Sequence, residues 1–216
     1  MTYDYVKEFL VDPTVRKVVL IGHSQGCIII SMVLDMLYAN LSSNDVEKLE
    51  IYTFGSAASH FNNPLRQTSP RAPSTRVIKY IEHYVNEEDL VPRWSAVYDE
   101  KARPQYAGNV FIRVGATGHL LNQHYLSQMF PSAGGRNDGR LCFLDEVVSV
   151  GGRHGGDGGI VAQNEPPVGS YLSMCRQNNT PFQNPEEPRR TVREMSRLWR
   201  YMGGKDADED TKPIGL

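Results

Sequence analysis

Four short apolar runs mark the chain up to Val114, each ending where glycine or turn-forming residues begin. Val18-Val19-Leu20-Ile21 is continuous, β-branched and closed by Gly22, the pattern of a strand buried on both faces of a parallel sheet. Leu49 to Phe54, Val77 to Val85 and Val110 to Val114 are the other strand candidates. Between them the period changes. Residues 3 to 10 predict a short helix closed by Asp12-Pro13, because the residue before a proline is pushed out of the helical region. Gln25 to about Asn40 predicts a longer helix. Its Ile28, Ile29, Ile30, Met32, Val33, Met36 and Leu37 cover more than one face, so it is expected to lie deep between the sheet and an outer layer. Strands alternating with helices predict an α/β protein, a mainly parallel sheet flanked by helices.

The pattern is interrupted between the strand candidates and weakens after about Phe130. Asn62 to Ser74, rich in Pro, Ser and Asn, reads as a surface loop that could sit over a site. Residues 131–190 carry Gly-Gly pairs, Asn and Pro, with little apolar periodicity outside Leu141 to Val150, and predict an irregular extension. Residues 191–203 predict an amphipathic helix with Val192, Met195, Leu198, Trp199 and Met202 opposite Arg193, Arg197 and Arg200. Residues 204–216, with Asp206, Asp208, Glu209 and Asp210, predict a solvated, disordered acidic tail. The expected organisation is thus a core over 1–130, a Gly/Pro-rich extension, one helix and a tail.

Charge and composition narrow the partners. Lys and Arg total 23 against 25 Asp and Glu, a net charge of -2, so no global basic field draws nucleic acid. No apolar run approaches the ~20 residues of a membrane span, and Met-Thr-Tyr-Asp-Tyr does not read as a signal peptide, so the expected location of the chain as written is cytoplasmic. Cys27, Cys142 and Cys175 are spaced for neither a disulfide framework nor a zinc site and are expected as free thiols. Arg189, Arg190, Arg193, Arg197 and Arg200 offer peripheral contact with anionic lipid head groups, while docking of the Met and Trp stripe on the domain is the plainer reading. No pattern specifies an oligomeric state.

The chemistry-bearing segment is Gly22-His23-Ser24-Gln25-Gly26. A serine hydroxyl is a weak nucleophile until a base takes its proton and N–H donors receive the charge that develops on the substrate oxygen. G-x-S-x-G meets the geometric need by placing serine on a strained strand-to-helix turn, with glycines where neighbouring backbone passes closely. The pentapeptide alone is only moderately specific; the buried strand before it and the apolar helix after it supply the context it requires. The Gln25 amide then lies at the helix N-terminus, where it and the helix dipole can face an oxyanion.

In hydrolases built on this turn the acid follows the serine along the chain and the histidine comes last. His23 neighbours the nucleophile and His60 precedes any acid position, so both are poor bases, and His83 falls inside a strand as a packing or supporting residue. Asn86 to Arg93 leaves that strand with Glu87, Glu88 and Asp89. Asp89 is the favoured acid, its short side chain suiting a fixed hydrogen bond to an imidazole, and Glu87 and Glu88 read as solvated loop charges. His119, directly after the Val110 to Val114 strand, is favoured as general base, with His124 the rival. No metal and no cofactor are implied.

Three stretches resemble one family. Val19 to Gly26 is similar to the nucleophile strand and elbow of the α/β-hydrolase superfamily, and within it of class 3 lipase-like and related fungal serine hydrolases. Tyr52-Thr53-Phe54-Gly55-Ser56 looks like that family's next strand, Y-T-F-G-x-P, and Asn86 to Arg93 is similar to its acid motif N-x-x-D-x-V-P-R, which carries the acid role onto Asp89. The likeness is sharp over residues 18 to 93, fades by about 130 and is absent beyond. It implies a partial α/β-hydrolase fold, an esterase or lipase activity in lipid metabolism, and a triad of Ser24, Asp89 and His119 with Gln25 in the oxyanion hole. Family members carry several strands before the elbow, one followed by a loop that donates the second oxyanion N–H. Only 17 residues precede the nucleophile strand here, so the resemblance implies an N-terminally truncated member with an unpaired edge on that strand. A noncatalytic binding homologue and an acyltransferase using the same residues are the alternatives. Gly151 to Gly159 bears a faint likeness to an H-G-G oxyanion loop, but lies on the wrong side of the elbow.

Overall fold

The computed structural model describes residues 1–66, 74–95, 97, 106–130, 142–150, 160–162 and 190–208. The chain begins α1 (Thr2–Val11), β1 (Val18–His23), α2 (Gly26–Asn40), α3 (Ser43–Val46) and β2 (Leu49–Phe54). A small antiparallel pair, β3 (Leu65–Arg66) with β4 (Thr75–Arg76), precedes β5 (Tyr80–Asn86), the single turn α4 (Leu90–Arg93) and β6 (Asn109–Arg113). Then come a π-helical turn at Leu121–Leu126, α5 (Ser127–Met129), a 3-10 turn at Phe143–Asp145, β7 (Val147–Val150), β8 (Ile160–Ala162) and β9 (Arg190–Thr191). The short helix α6 (Val192–Met195) and a 3-10 turn at Leu198–Tyr201 follow.

The fold is α/β. β1, β2, β5 and β6 lie side by side and parallel, the order expected when each crossover returns the chain to the same end of the sheet. β8 adds parallel to β6, and β7 and β9 extend the sheet antiparallel. Strand side chains alternate between the two faces, and each face has its own core. Leu49, Ile51, Ile81, Val85 and Ile112 point toward α1 and α2, where Val6, Leu10, Cys27, Ile30, Leu34 and Leu37 meet them. Tyr52, Phe54, Tyr84 and Phe111 form the other face under Tyr125, Met129, Phe143, Leu144, Val192 and Leu198. There Phe54 stacks on Tyr84 and Tyr84 on Phe111, with centroids 5.1 and 5.3 Å apart.

Two expectations about burial are corrected. β1 stands at the sheet edge, as the resemblance implies, but it is not buried on both faces, and Ile21 is 59% exposed. Likewise α2 buries Ile30, Val33, Leu34 and Leu37 against the sheet but leaves Ile28, Ile29, Met32 and Met36 exposed. A run of apolar residues says that a segment can be buried on all sides, and the element order decides whether anything is there to bury it.

The C-terminal part departs further from expectation. Residues 147–150, 160–162 and 190–191 add strands to the main sheet, and 131–141, 151–159 and 163–189 lie outside the described residues. The single helix expected over 191–203 is two short turns broken at Ser196 and Arg197. The cause is a pair of buried carboxylates on the aromatic face. Glu82 accepts from the Arg197 amide at 2.7 Å, from Ser196 Oγ at 3.1 Å and from the Tyr84 hydroxyl at 2.6 Å. Glu50 accepts from Arg197 Nε at 2.8 Å and from the hydroxyls of Tyr52 and Tyr201 at 2.7 and 2.6 Å. Arg197 is therefore buried, not on the solvent side of a helix, because its amide donates to Glu82 and its guanidinium joins Lys17, 3.7 Å from Glu50 Oε1, in balancing the buried Glu50 carboxylate. The start of the tail is also ordered: Asp206 and Asp208 pair with Lys17, Asp208 also pairs with Arg197, and Ala207 is buried. Hydrogen bonds from Lys17 and Arg197 hold the Asp208 carboxyl down to about 2. Residues 209–216 lie outside the described residues.

Arg197→Ala is expected to cost about 1–3 kcal/mol in urea unfolding, since it removes the guanidinium hydrogen bond to the buried Glu50 carboxylate and leaves Lys17 as its remaining cation. A second stability term comes from His83, buried between Phe61 and Tyr106. Its Nε2 donates to the Ala107 carbonyl at 3.0 Å, so Nδ1 accepts from Thr53 Oγ1 at 2.7 Å, the neutral tautomer. Burial lowers its pKa from 6.5 to about 4. Between those values the unfolded chain binds the extra proton, so the contribution is intact above 6.5 and is lost as pH falls toward 4. Wild-type unfolding free energy should drop by about 3 kcal/mol over that window from this group, and His83→Gln should show a flatter profile.

Candidate functional site

The carboxyl ends of β1, β5 and β6 bring the sequence-selected residues to one end of the sheet. Ser24 follows β1 directly and is the one non-glycine residue with positive φ among the described residues, at 56°. Its amide donates to the Phe54 carbonyl at 3.1 Å and its carbonyl accepts from Cys27 and Ala57, so the backbone of β2 and the first turn of α2 fix the strained turn. Gly22 packs closely on α2: a Cβ would lie 2.7 Å from Ile30 Cδ1 and 3.2 Å from Cys27 Sγ, so those side chains would have to shift. The turn can thus sit tight on the helix it launches. Gln25 is the N-cap of α2 and is exposed, while the amides of Cys27 and Ile28 in the first turn donate to the carbonyls of Ser24 and Gln25.

Asp89 lies just past the end of β5 and caps α4. Its Oδ1 accepts from the Val91 amide at 3.0 Å. Its Oδ2 faces His119 Nδ1 at 2.7 Å. The carboxylate side chain is 1% exposed and the imidazole 30%, so the acid is inside and the ring reaches the surface. Because Nδ1–H donates to the carboxylate, the neutral ring carries its lone pair on Nε2, the arrangement a general base needs.

Of the two histidines, His119 is the one against Asp89. His124 stands in the π-helical turn, where its Nδ1 accepts from the Leu120 amide at 3.0 Å, a contact that supports the loop. His23 packs on the His119 ring with centroids 4.6 Å apart, and its Nε2 donates to the His119 carbonyl at 2.6 Å. Glu87, read as a solvated charge, is instead buried and accepts from the Gly115 amide at 2.7 Å, pinning the loop after β6. Glu88 pairs with Arg93 at the surface. His60, set aside as a base, pairs with Asp35 away from this site.

Sequence reasoning missed Tyr125. Its hydroxyl donates to Asp89 Oδ2 at 2.6 Å. It also missed why Gly55 stands where it does. Gly55 has a φ of 51°, and a Cβ there would lie 2.9 Å from Asp89 Oδ2, 2.9 Å from the Tyr125 oxygen and 3.0 Å from His119 Nδ1. The glycine therefore opens the space in which the three polar atoms converge. Neither feature has a local sequence period, since both depend on which loops meet.

Cys27 is buried beside the elbow, and burial pushes its thiol up to about 11, which leaves it a packing residue. Cys142 is also a free thiol, while Cys175, Arg189 and the Gly151 to Gly159 stretch lie outside the described residues. Arg193 is engaged with Asp145 and Arg197 is buried. Among the described residues no group of His, Cys, Asp and Glu could hold a metal ion, and no helix is long and apolar enough to cross a membrane. Comparison with protein-family models, curated proteins and solved structures finds no match.

Proposed function

We propose that the chain is a serine hydrolase of α/β-hydrolase type that cleaves carboxylic esters with apolar acyl groups through an acyl-enzyme. The observation that carries this reading is a serine at positive φ on a strand-to-helix turn, at the same end of the sheet as a buried Asp89 hydrogen-bonded to His119. His119 Nε2 takes the Ser24 proton as Oγ attacks the ester carbonyl, and the Gln25 amide at the start of α2 stabilises the oxyanion. The tetrahedral intermediate collapses, the C–O bond breaks, and His119 returns the proton to the leaving alcohol. Water, deprotonated by the same imidazole, then releases the carboxylic acid and restores Ser24. Leu90, Trp94 and Leu120, exposed apolar residues next to or near Asp89 and His119 in the chain, favour an apolar acyl group.

Steady-state turnover of a series of p-nitrophenyl esters of increasing chain length tests this, with Ser24→Ala as the control. Saturable turnover lost in Ser24→Ala supports the reading, and product analysis with added alcohol separates hydrolysis from acyl transfer. The exposed flank of β1 and α2 favours a second reading, a binding protein that seats a partner strand on the β1 edge. Folded wild type without turnover of any ester in the series would favour that second reading.

A further inference from the structure

The geometry points to Tyr125 as a positioning residue of the Asp89–His119 pair, its hydroxyl sharing Asp89 Oδ2 with the imidazole and so setting how strongly that oxygen holds the ring. For its kinetic consequence the inference rests on the serine-hydrolase reading; for its structural one it does not.

The bland reading of Tyr125 is a core residue. It is 2% exposed and its ring lies 5.9 Å from that of Phe54, edge to face. Phenylalanine would serve that role equally. What a core residue does not need is the hydroxyl, which is only 2.6 Å from Asp89 Oδ2, on the oxygen that also accepts His119 Nδ1 at 2.7 Å. The Asn86 amide donates to the same hydroxyl oxygen at 3.3 Å, orienting the O–H toward the carboxylate. The other carboxylate oxygen accepts from the Val91 amide, so the acid cannot turn without breaking contacts on both sides.

The local backbone is arranged for this contact. Residues 121–126 form a π-helical turn, wider than an α-turn and a recurrent feature of functional sites. Asn86 Nδ2 ties the segment at both ends, donating to the Gly118 carbonyl at 3.1 Å and to the His124 carbonyl at 3.2 Å. His119 and Tyr125 are therefore held on one braced loop with Asp89 between them. Two donors on one oxygen compete for its charge. Without the tyrosine O–H, Oδ2 concentrates its charge on the Nδ1 proton, that bond tightens, and protonation of the imidazole is favoured.

Tyr125→Phe keeps the ring and removes the hydroxyl. Two readouts test the inference. The low-field proton NMR signal of His119 Nδ1–H should move further downfield in Tyr125→Phe, and a fluorinated tyrosine installed at position 125, a stronger donor, should move it upfield. In the rate of Ser24 modification by a fluorophosphonate, the acid limb of the pH profile should shift to higher pH by about 0.5–1 unit in Tyr125→Phe. A proton signal that moves with neither change, or a rate lowered equally at every pH with no shift of the limb, overturns the inference. Should Tyr125→Phe fail to fold, the fluorotyrosine protein decides by the same signal. Wild type left unmodified at Ser24 would count against the hydrolase reading alone, because the proton signal still decides on Tyr125.

Discussion

Ser24→Gly is expected to abolish ester turnover and at the same time make the protein more stable. The loss follows from removing the nucleophile that forms the acyl-enzyme, and removal of a triad serine typically lowers kcat by about 10⁶-fold. The gain follows from the backbone. Ser24 holds φ at 56°, a region that costs an L-residue about 1–2 kcal/mol and a glycine almost nothing. Glycine adds unfolded-chain entropy that offsets part of this, leaving a net gain of up to about 1 kcal/mol, or a rise in Tm of about 2–4 °C for a chain of this size. Ser24→Ala should lose activity to the same extent without the rise, since alanine keeps the strain. Calorimetry beside an ester assay on the three proteins checks both halves. Equal Tm values for the glycine and alanine variants would mean that the turn is not strained in solution.

Asp89→Asn should lower kcat by about 10⁴-fold. In wild type both carboxylate oxygens accept: Oδ1 from the Val91 amide, Oδ2 from His119 Nδ1 and the Tyr125 hydroxyl. An amide must present its NH₂ at one of these positions, where it meets a donor. If it faces His119, Nδ1 gives up its proton and the lone pair moves from Nε2 to the wrong side of the ring. If it faces Val91, a buried N–H loses its acceptor at a cost of about 1–3 kcal/mol. Comparing kcat with urea unfolding separates the outcomes: the first arrangement shows mainly in kcat, the second adds a clear loss of stability. Activity within tenfold of wild type would remove Asp89 from the proposed catalytic set.

Much of this architecture could be read from the chain, because local rules and the final packing agree in the first half. β2 occupies the residues that its apolar run marks, Leu49–Phe54, and β1 and α2 meet at the serine as the G-x-S-x-G turn requires. The order Ser24, Asp89, His119 along the chain selects side chains that the folded sheet gathers at one end. The rest was hidden for physical reasons. Exposure of Ile21 and Met32 depends on whether another element covers the face from which each side chain points, which no residue in β1 or α2 encodes. Ser196 and Arg197 sit in a good helical pattern, yet Glu50 and Glu82 draw them out of it, a tertiary demand overriding local propensity. One clue was available: Glu50-Ile51-Tyr52 and Glu82-His83-Tyr84 repeat the same Glu-x-Tyr spacing in two strands. A carboxylate twice placed inside a buried strand predicts a buried cation, and the arginines of the last segment were the candidates. Tyr125 had no such signal, since its meaning arises only where the loops after β5 and β6 converge.

The central claim is that Ser24 is a nucleophile activated by His119 and Asp89. Its most direct test is peptide mass spectrometry of the full chain after reaction with a fluorophosphonate. A single stoichiometric adduct is expected on the peptide that contains Ser24, absent from Ser24→Ala and formed far more slowly by His119→Ala. A folded wild-type protein that carries no adduct, or an adduct on another residue that persists in Ser24→Ala, would contradict it.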